Sequence, residues 1–87
     1  MHSYAVEVMP SAAKELEALP NIVLERVAGK IGSLGASPRP SGCKKLKGHK
    51  DQWRIRIGDW RIVYIIDDPA RIVRVTRIAH RSEVYRS

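Results

Sequence analysis

Residues 52–66 read QWRIRIGDWRIVYII, and this stretch decides the fold. Large apolar residues alternate with Arg54 and Arg56 in its first part, which is the pattern of a strand with one apolar and one cationic face. Gly58 and Asp59 separate this run from a second apolar run and have the composition of a two-residue hairpin turn. The stretch therefore predicts an antiparallel β-hairpin, in which pairing brings Arg61 near the two earlier arginines.

The flanking segments complete a small domain. The predicted elements are a strand at 4–8, helices at 12–19 and 21–34, hairpin strands at 52–57 and 60–66, and a last strand at 71–78. Ser11 is predicted to cap the first helix and Gly35 to end the second. On the last strand, alternation assigns one face to Arg71, Val73, Val75 and Arg77.

This order, β-α-α-β-β-β, predicts an α+β fold in which a helical hairpin packs on one face of an antiparallel sheet. At 87 residues and 9.8 kDa the chain has room for one domain, residues 1–87. Its apolar content of 44% is too high for a disordered basic tail.

The net charge of +7 is confined to the second half of the chain. Residues 1–43 carry four basic and four acidic side chains, whereas residues 44–87 carry twelve and five. A neutral half joined to a basic half favours a surface that binds a polyanion, most often nucleic acid. A solvated basic face that only aids solubility is the alternative that charge alone leaves open.

The sequence also limits the compartment and the cofactors that we expect. A single cysteine, Cys43, excludes an intramolecular disulfide framework, and no Cys/His set has the spacing of a zinc site. No apolar run approaches the length of about 20 residues that crosses a bilayer, and the first residues lack a signal-peptide pattern. We therefore expect a cytoplasmic protein with no metal, no small-molecule cofactor and no membrane partner.

Three segments together resemble the RelE branch of the RelE/ParE toxin superfamily. They are KLKG at 45–48, WRIRIGDWRIVY at 53–64 and IAHRSEVYR at 78–86. The opening strand, AKEL at 13–16 and SPR at 37–39 extend the resemblance over essentially the whole chain. The combination is specific, although each segment alone is a weak signal.

The resemblance implies the toxin of a toxin–antitoxin pair, with a cognate antitoxin as one partner and the ribosome with its mRNA as the other. It implies a metal-independent endoribonuclease in which the RNA 2′-hydroxyl attacks the adjacent phosphorus and leaves a 2′,3′-cyclic phosphate. Arg61 and Arg81 match the family's active-site arginines, and Tyr85 matches its catalytic tyrosine. Arg54 and Arg56 stand where the best-known members have lysines, which keeps the charge but changes its shape.

The residues themselves are compatible with this chemistry. Attack by the 2′-hydroxyl needs a base, and the two candidates are Tyr85 and His80, of which histidine ordinarily exchanges protons near neutral pH. A phenol begins near pKa 10, so its ionisation at pH 7 needs about 4 kcal/mol, which nearby arginines supply only in a site that excludes water. We therefore expect the ribosome to complete the site. Four lysines are candidates for gripping phosphates: Lys44, Lys45, Lys47 and Lys50.

Two other functions remain open at this point. One is the ParE branch of the superfamily, which shares the fold and acts on DNA gyrase without cutting RNA. The other is a nucleic-acid-binding module without catalytic activity, for which a basic face is enough. The joint presence of Arg61, Arg81 and Tyr85 favours the nuclease.

Overall fold

The computed structural model describes residues 3–48 and 51–84, the last two of these by their backbone alone. The elements in chain order are β1 (Ala5–Val8), α1 (Pro10–Glu17), α2 (Asn21–Ser33), β2 (Lys44–Lys45), β3 (Gln52–Ile57), β4 (Trp60–Asp67), β5 (Ile72–His80) and α3 (Arg81–Val84). Within the described ranges, no helix is both long enough and apolar enough to span a bilayer.

The five strands form one sheet in the order β1-β5-β4-β3-β2, with α1 and α2 packed on one face. This confirms the predicted α+β fold with a helical hairpin. Strands β2 to β5 pair antiparallel, whereas β1 lies parallel to β5, with Val6 opposite Val73. The pattern within β1 could not indicate that direction, because alternation in a strand is the same whichever way its neighbour runs. The two-lysine strand β2 has no alternation to detect and was not predicted.

The core lies between the helices and the face of the sheet that carries the apolar side chains of the hairpin. Ile55, Ile62 and Ile78 are cross-strand partners in one row of that face, and all are buried. Val27 and Ile31 of α2 pack against this cluster. Each aliphatic side chain buried in this way stabilises the fold by about 1.5–3 kcal/mol relative to its exposed state. The opposite face of β3 and β4 is therefore left to the arginines.

The predicted N-cap at Ser11 is wrong, because α1 begins at Pro10, which fits the first turn of a helix since its missing N–H needs no partner there. The Ser11 hydroxyl instead donates to the carbonyl of Thr76 at 3.3 Å. Glu15 accepts a hydrogen bond from the backbone N–H of Ile78 at 2.8 Å. Helix α1 thus covers the edge of β5 beyond the end of β1, where unpaired backbone groups would otherwise be exposed.

A β-bulge changes the side-chain pattern of β5. Val75 pairs with Tyr64 and Arg77 pairs with Val63, so Thr76 is an additional residue on β5. The prediction that Arg77 shares a face with Val73 and Val75 is therefore wrong. The two valines are buried in the core, and Arg77 lies on the opposite face. Strand β5 also runs to His80, two residues beyond its predicted end.

Gly35 has a different role from the predicted one. Helix α2 ends at Ser33 with Leu34 as its C-cap. A Cβ atom on Gly35 would lie 2.9 Å from the carbonyl oxygen of Tyr4, closer than side chains pack. The Gly35 carbonyl accepts a hydrogen bond from the backbone N–H of Tyr4 at 2.7 Å. Glycine is therefore required for the close approach of the helix end to the start of β1.

The loop after α2 is fastened to the end of the sheet away from the hairpin turn. Arg39 forms a salt bridge with Asp68 at 2.8 Å and lies 5.1 Å above the ring of Trp53. The Tyr4 hydroxyl donates to the same carboxylate at 2.5 Å. Hydrogen bonds from Arg39 and Tyr4 lower the pKa of Asp68, and the bond to the carboxylate raises the pKa of Tyr4. These contacts hold the loop in one place.

Candidate functional site

The hairpin brings two arginines directly opposite each other. Arg56 of β3 pairs with Arg61 of β4, one step from the closing pair Ile57 and Trp60. The closing pair of a two-residue hairpin is hydrogen-bonded, so the next pair is non-hydrogen-bonded, with Cα atoms about 4.5 Å apart. Like charges in this arrangement repel, which is unfavourable unless an anion lies between or above them.

A second row of cationic side chains lies beside this pair. Lys44 is opposite Arg54, Arg54 is opposite Val63, and Val63 is opposite Arg77. The row crosses four strands and spans about 14 Å, and it lies about 7 Å from the first pair along the strands. We call this surface the arginine face; its members are Lys44, Arg54, Arg56, Arg61 and Arg77.

Arg77 was missed as a site residue, because simple alternation placed it on the same face as Val73 and Val75. An arginine predicted to share a face with Val73 and Val75 was itself a signal of a bulge, since a charged group is not expected in the core. Arg77 also lies 3.9 Å from Glu15, measured from Nε to the carboxylate. Glu15 therefore partly neutralises the positive charge that Arg77 adds to the arginine face.

Two members of the arginine face are buried although they are charged. Arg54 is 7% exposed and Arg61 is 5% exposed, whereas Lys44 and Arg56 are exposed. Nη1 of Arg61 donates to the carbonyl of Trp60 at 3.2 Å and to that of Gly58 at 3.4 Å. These bonds orient the guanidinium, and burial lowers the local dielectric constant, so the charge acts more strongly on an anion nearby.

The chain turns at the end of β5 next to the hairpin turn. The backbone N–H of Arg81 donates to the carbonyl of Asp59 at 2.8 Å, and Arg81 is exposed at the start of α3. Ala79, two residues earlier, pairs with Arg61. Arg81 therefore begins the tail at the end of the sheet that holds Arg56 and Arg61. Tyr85 and Lys50, both predicted site residues, lie outside the described residues.

Other predicted site residues lie away from the arginine face. His80 pairs with Trp60 on the opposite face of the sheet, and their rings meet edge to face at 5.4 Å. Its Nδ1 lies 3.2 Å from the hydroxyl of Ser82. Lys45 is opposite Trp53, also on that face, and Lys47 is exposed in the segment after β2. The strand geometry thus separates His80 and Lys45 from the arginines.

Comparison with known proteins identifies the family of the chain. A family model described as the ParE toxin of the type II toxin–antitoxin system parDE matches residues 6–85. The toxin RelE of Mycobacterium tuberculosis is 35% identical over 86 residues, covering 98% of this chain and 89% of that protein. The putative toxin RelE1 of Methanocaldococcus jannaschii is 30% identical over 87 residues, covering 97% of each chain.

Solved structures agree with the sequence matches. The crystal structure of the toxin–antitoxin complex RelBE2 from M. tuberculosis contains a chain that superposes with a TM-score of 0.79 at 29% identity, covering 91% of this chain and 99% of that one. The chain belongs to the RelE family of type II toxin–antitoxin toxins. The resemblance found in its sequence is thereby confirmed.

In this RelE-family toxin the arginine face carries positive charge and holds no base at its described strand positions. The strand positions of its two rows hold only cationic and apolar side chains in the described part of the chain. The nearest carboxylates of the same sheet face, Glu7 and Asp67, lie toward the other end and pair with Arg74. Glu15 of α1 reaches the edge of the face at Arg77, where it pairs with that guanidinium and accepts the backbone N–H of Ile78. The two rows themselves therefore offer no proton acceptor in the described part of the chain.

Two tyrosines of the toxin are committed to structural roles. Tyr64 is completely buried and its hydroxyl donates to the carbonyl of Pro38 at 2.8 Å. Burial and the nearby Cys43 raise the pKa of Tyr64, so its phenol stays protonated. Tyr4 donates to Asp68 at the far end of the sheet. Neither phenol is suited to accept a proton at the arginine face.

Proposed function

We propose that this toxin cleaves mRNA on the ribosome as a metal-independent endoribonuclease and thereby inhibits translation. The single observation that carries the proposal is the arginine face, with Arg56 and Arg61 directly opposed and Arg54 in the next row. Guanidinium groups bind phosphate oxygens through two parallel hydrogen bonds, and a bound phosphodiester relieves their mutual repulsion. The RelE relatives make a nuclease the function that best uses such a face.

In the proposed reaction, the 2′-hydroxyl oxygen of the RNA bonds to the adjacent phosphorus and the bond to the 5′-oxygen breaks. The proton of the 2′-hydroxyl passes to the base, and the 5′-oxygen takes up a proton. The products are a 2′,3′-cyclic phosphate and a free 5′-hydroxyl. Arg61 and Arg81 stabilise the charge that grows on the non-bridging oxygens, and Arg54 and Arg56 hold the phosphodiester.

Tyr85 is the proposed base, and the placement of His80 favours this choice. The His80 ring packs edge to face against Trp60 on the face away from the arginines, so it is poorly placed to reach a phosphodiester bound to them. A phenol near pKa 10 needs about 4 kcal/mol to ionise at pH 7. One guanidinium about 5 Å away supplies roughly 0.8 kcal/mol in water but roughly 3 kcal/mol at an effective dielectric constant of 20.

Two arginines can thus activate Tyr85 only where water is excluded. The free toxin should cut RNA slowly, and the ribosome should complete the site by covering and orienting the message. The exposed side chain of Arg56 fits this idea, because it is the member of the opposed pair that a covering surface would desolvate.

The proposed partner in the cell is a cognate antitoxin. The M. tuberculosis structure to which this chain is similar is a toxin–antitoxin complex. A net charge of +7, concentrated in the half that forms the arginine face, favours an acidic segment as the neutralising element. Binding such a segment would cover the arginines and keep the toxin inactive.

The deciding experiment compares ribosome-bound mRNA with the same RNA free in solution, with and without a chelator. We expect fast cleavage only on the ribosome, with 2′,3′-cyclic phosphate ends and no effect of the chelator. Tyr85→Phe should abolish cleavage, and Tyr4→Phe, which removes a phenol at the far end of the sheet, should not. Equal rates on free and bound RNA would refute the ribosome-dependent mechanism.

A second candidate is inhibition of DNA gyrase, because the matching family model is described as a ParE toxin. The discriminating measurement is supercoiling of plasmid DNA by gyrase with the toxin added. Inhibition of supercoiling together with intact mRNA would establish this alternative. RNA binding without cleavage of RNA and without an effect on gyrase would instead leave a nucleic-acid-binding module.

A further inference from the structure

A second basic surface runs between helix α2 and the edge of β3. In the described ranges β2 pairs with β3 only at Trp53 and Arg54, so the edge beyond them faces α2 across an open groove. Two adjoining sections of this groove have volumes of about 500 and 370 Å³. The cations that line them are Arg26, Lys30, Lys44, Arg54 and Arg56.

The groove is continuous with the arginine face. Arg56 lines both sections and also belongs to the opposed arginine pair. Because Leu46 bonds to the Gln52 carbonyl, alternation along β3 directs the backbone N–H of Arg56 toward the groove. A nucleic-acid strand bound on the arginine face can therefore pass over the edge of β3 and remain in contact with positively charged side chains.

Gly29 leaves the backbone of α2 accessible from the groove. Gly29 lies in the interior of the helix, where glycine is unfavourable relative to alanine, and it lines the groove. A Cβ atom at Gly29 would meet nothing within 4 Å, so no packing within the toxin requires glycine there. Glycine at such a position permits close approach of a ligand to the helix backbone.

The shape of the groove favours RNA over an acidic peptide. A peptide would bind best by adding a strand to β3, but the open edge is short and ends at Gly58, whose φ of 57° turns the chain into the hairpin. Five cations along three elements, α2, β2 and β3, instead match a chain of phosphates. No carboxylate is among the described residues that line the two sections, and Asp59 lines a neighbouring cavity at the hairpin end.

We propose that this groove binds the phosphodiester backbone of single-stranded RNA next to the segment held on the arginine face. The inference rests on the proposed RNA substrate and adds a second contact region, in which Lys30 and Arg26 bind phosphates and Gly29 lets the RNA lie close to α2. It predicts that affinity increases with RNA length beyond the few nucleotides that the arginine face covers.

The test measures binding of 2′-O-methyl RNA, which cannot be cleaved because its 2′-oxygen is blocked. Oligonucleotides of three and twelve nucleotides are titrated by fluorescence anisotropy at several salt concentrations. Lys30→Gln should reduce the magnitude of the salt slope for the longer RNA by about 0.7. For each tenfold decrease in salt, the variant should therefore gain roughly fivefold less affinity than the wild type. Lys14→Gln, on the exposed side of α1, is the matched charge control and should leave the slope unchanged.

A second pair of variants tests the close approach. Gly29→Gln should weaken binding of the longer RNA while raising the melting temperature, because it removes a glycine from a helix interior. Gly32→Gln changes the other glycine of α2, which lies in the last turn and also has nothing within 4 Å of its Cβ position. It should raise the melting temperature without changing RNA affinity.

Each outcome separates the two proposals. Wild-type affinity of Lys30→Gln and Gly29→Gln for the longer RNA would overturn the groove proposal while leaving cleavage unaffected. Length-dependent binding by a toxin that never cleaves ribosome-bound mRNA would overturn the proposed function alone. If a twelve-residue polyglutamate peptide displaced the longer RNA and lost affinity in both variants, the groove would be a peptide site and our proposal would be wrong.

Discussion

Replacing Arg61 by glutamine tests the electrostatic role of the arginine face most directly. Arg61 is 5% exposed, and its Nη1 is oriented by the carbonyls of Gly58 and Trp60. At about 5 Å from a developing charge and an effective dielectric constant of 20, one guanidinium contributes roughly 3 kcal/mol. Losing it should slow the chemical step by about two orders of magnitude.

The assay is single-turnover cleavage of mRNA on stalled ribosomes, with toxin in excess so that binding is saturated. Arg71→Gln is the matched control, because Arg71 is an exposed arginine about 26 Å along β5 from the partner of Arg61. That distance exceeds the screening length of roughly 8 Å at physiological salt, so cleavage should be unchanged. Arg61→Lys should be intermediate, since it keeps the charge but loses the fork of donors.

The reasoning would be refuted if Arg61→Gln cleaved within about threefold of the wild type while retaining its fold, because the predicted loss is about a hundredfold. A loss that appears only below saturation would also refute it, since the residue would then act in binding alone. Circular dichroism and the melting temperature of each variant exclude unfolding as the cause.

Three further predictions concern stability. Arg56→Thr should raise the melting temperature by roughly 1–6 °C, because removing one of two opposed like charges stabilises the fold by about 0.2–1 kcal/mol. An unchanged or lower melting temperature would contradict the repulsion between Arg56 and Arg61. Tyr64→Phe should lower the free energy of unfolding, measured by urea titration, by about 1–2 kcal/mol, because the buried hydrogen bond to Pro38 is lost. Cleavage should remain intact. Slower cleavage at unchanged stability would contradict the structural role of Tyr64. Asp68 has a lowered pKa, so its stabilising contribution is present above about pH 4 and is lost as pH falls through the native pKa. The difference in melting temperature between the wild type and Asp68→Asn should therefore shrink in acid, and a difference that is constant down to pH 2.5 would argue against the ion pair.

The hairpin could be predicted from sequence because its signals are local. Apolar and arginine residues alternate along β3, and Gly58-Asp59 supplies the turn, so each residue's face follows from its number. The bulge at Thr76 could not be predicted in the same way. It arises where β5 must pair with β4 on one edge while α1 bonds to the other edge through Ser11 and Glu15.

The candidate site was partly predictable for the same reason. Arg54, Arg56 and Arg61 were placed together by the hairpin pattern alone, whereas Arg77 needed the bulge to reach their face. Gly29 and Lys30 had no motif to distinguish them, because a groove between a helix and a sheet edge depends on how the two pack. His80 was a reasonable candidate until the length of β5 assigned it to the face of Trp60.

The sequence by itself determined the sheet faces of the hairpin, the order of the two long helices and the four longer strands, and the concentration of positive charge in residues 44–87. These properties follow from periodicity and composition, which act between neighbouring residues. Tertiary structure alone decided the parallel pairing of β1 with β5, the bulge that turns Arg77 outward, and the groove beside α2. These features depend on contacts between residues far apart in the chain, which satisfy backbone groups and burial together.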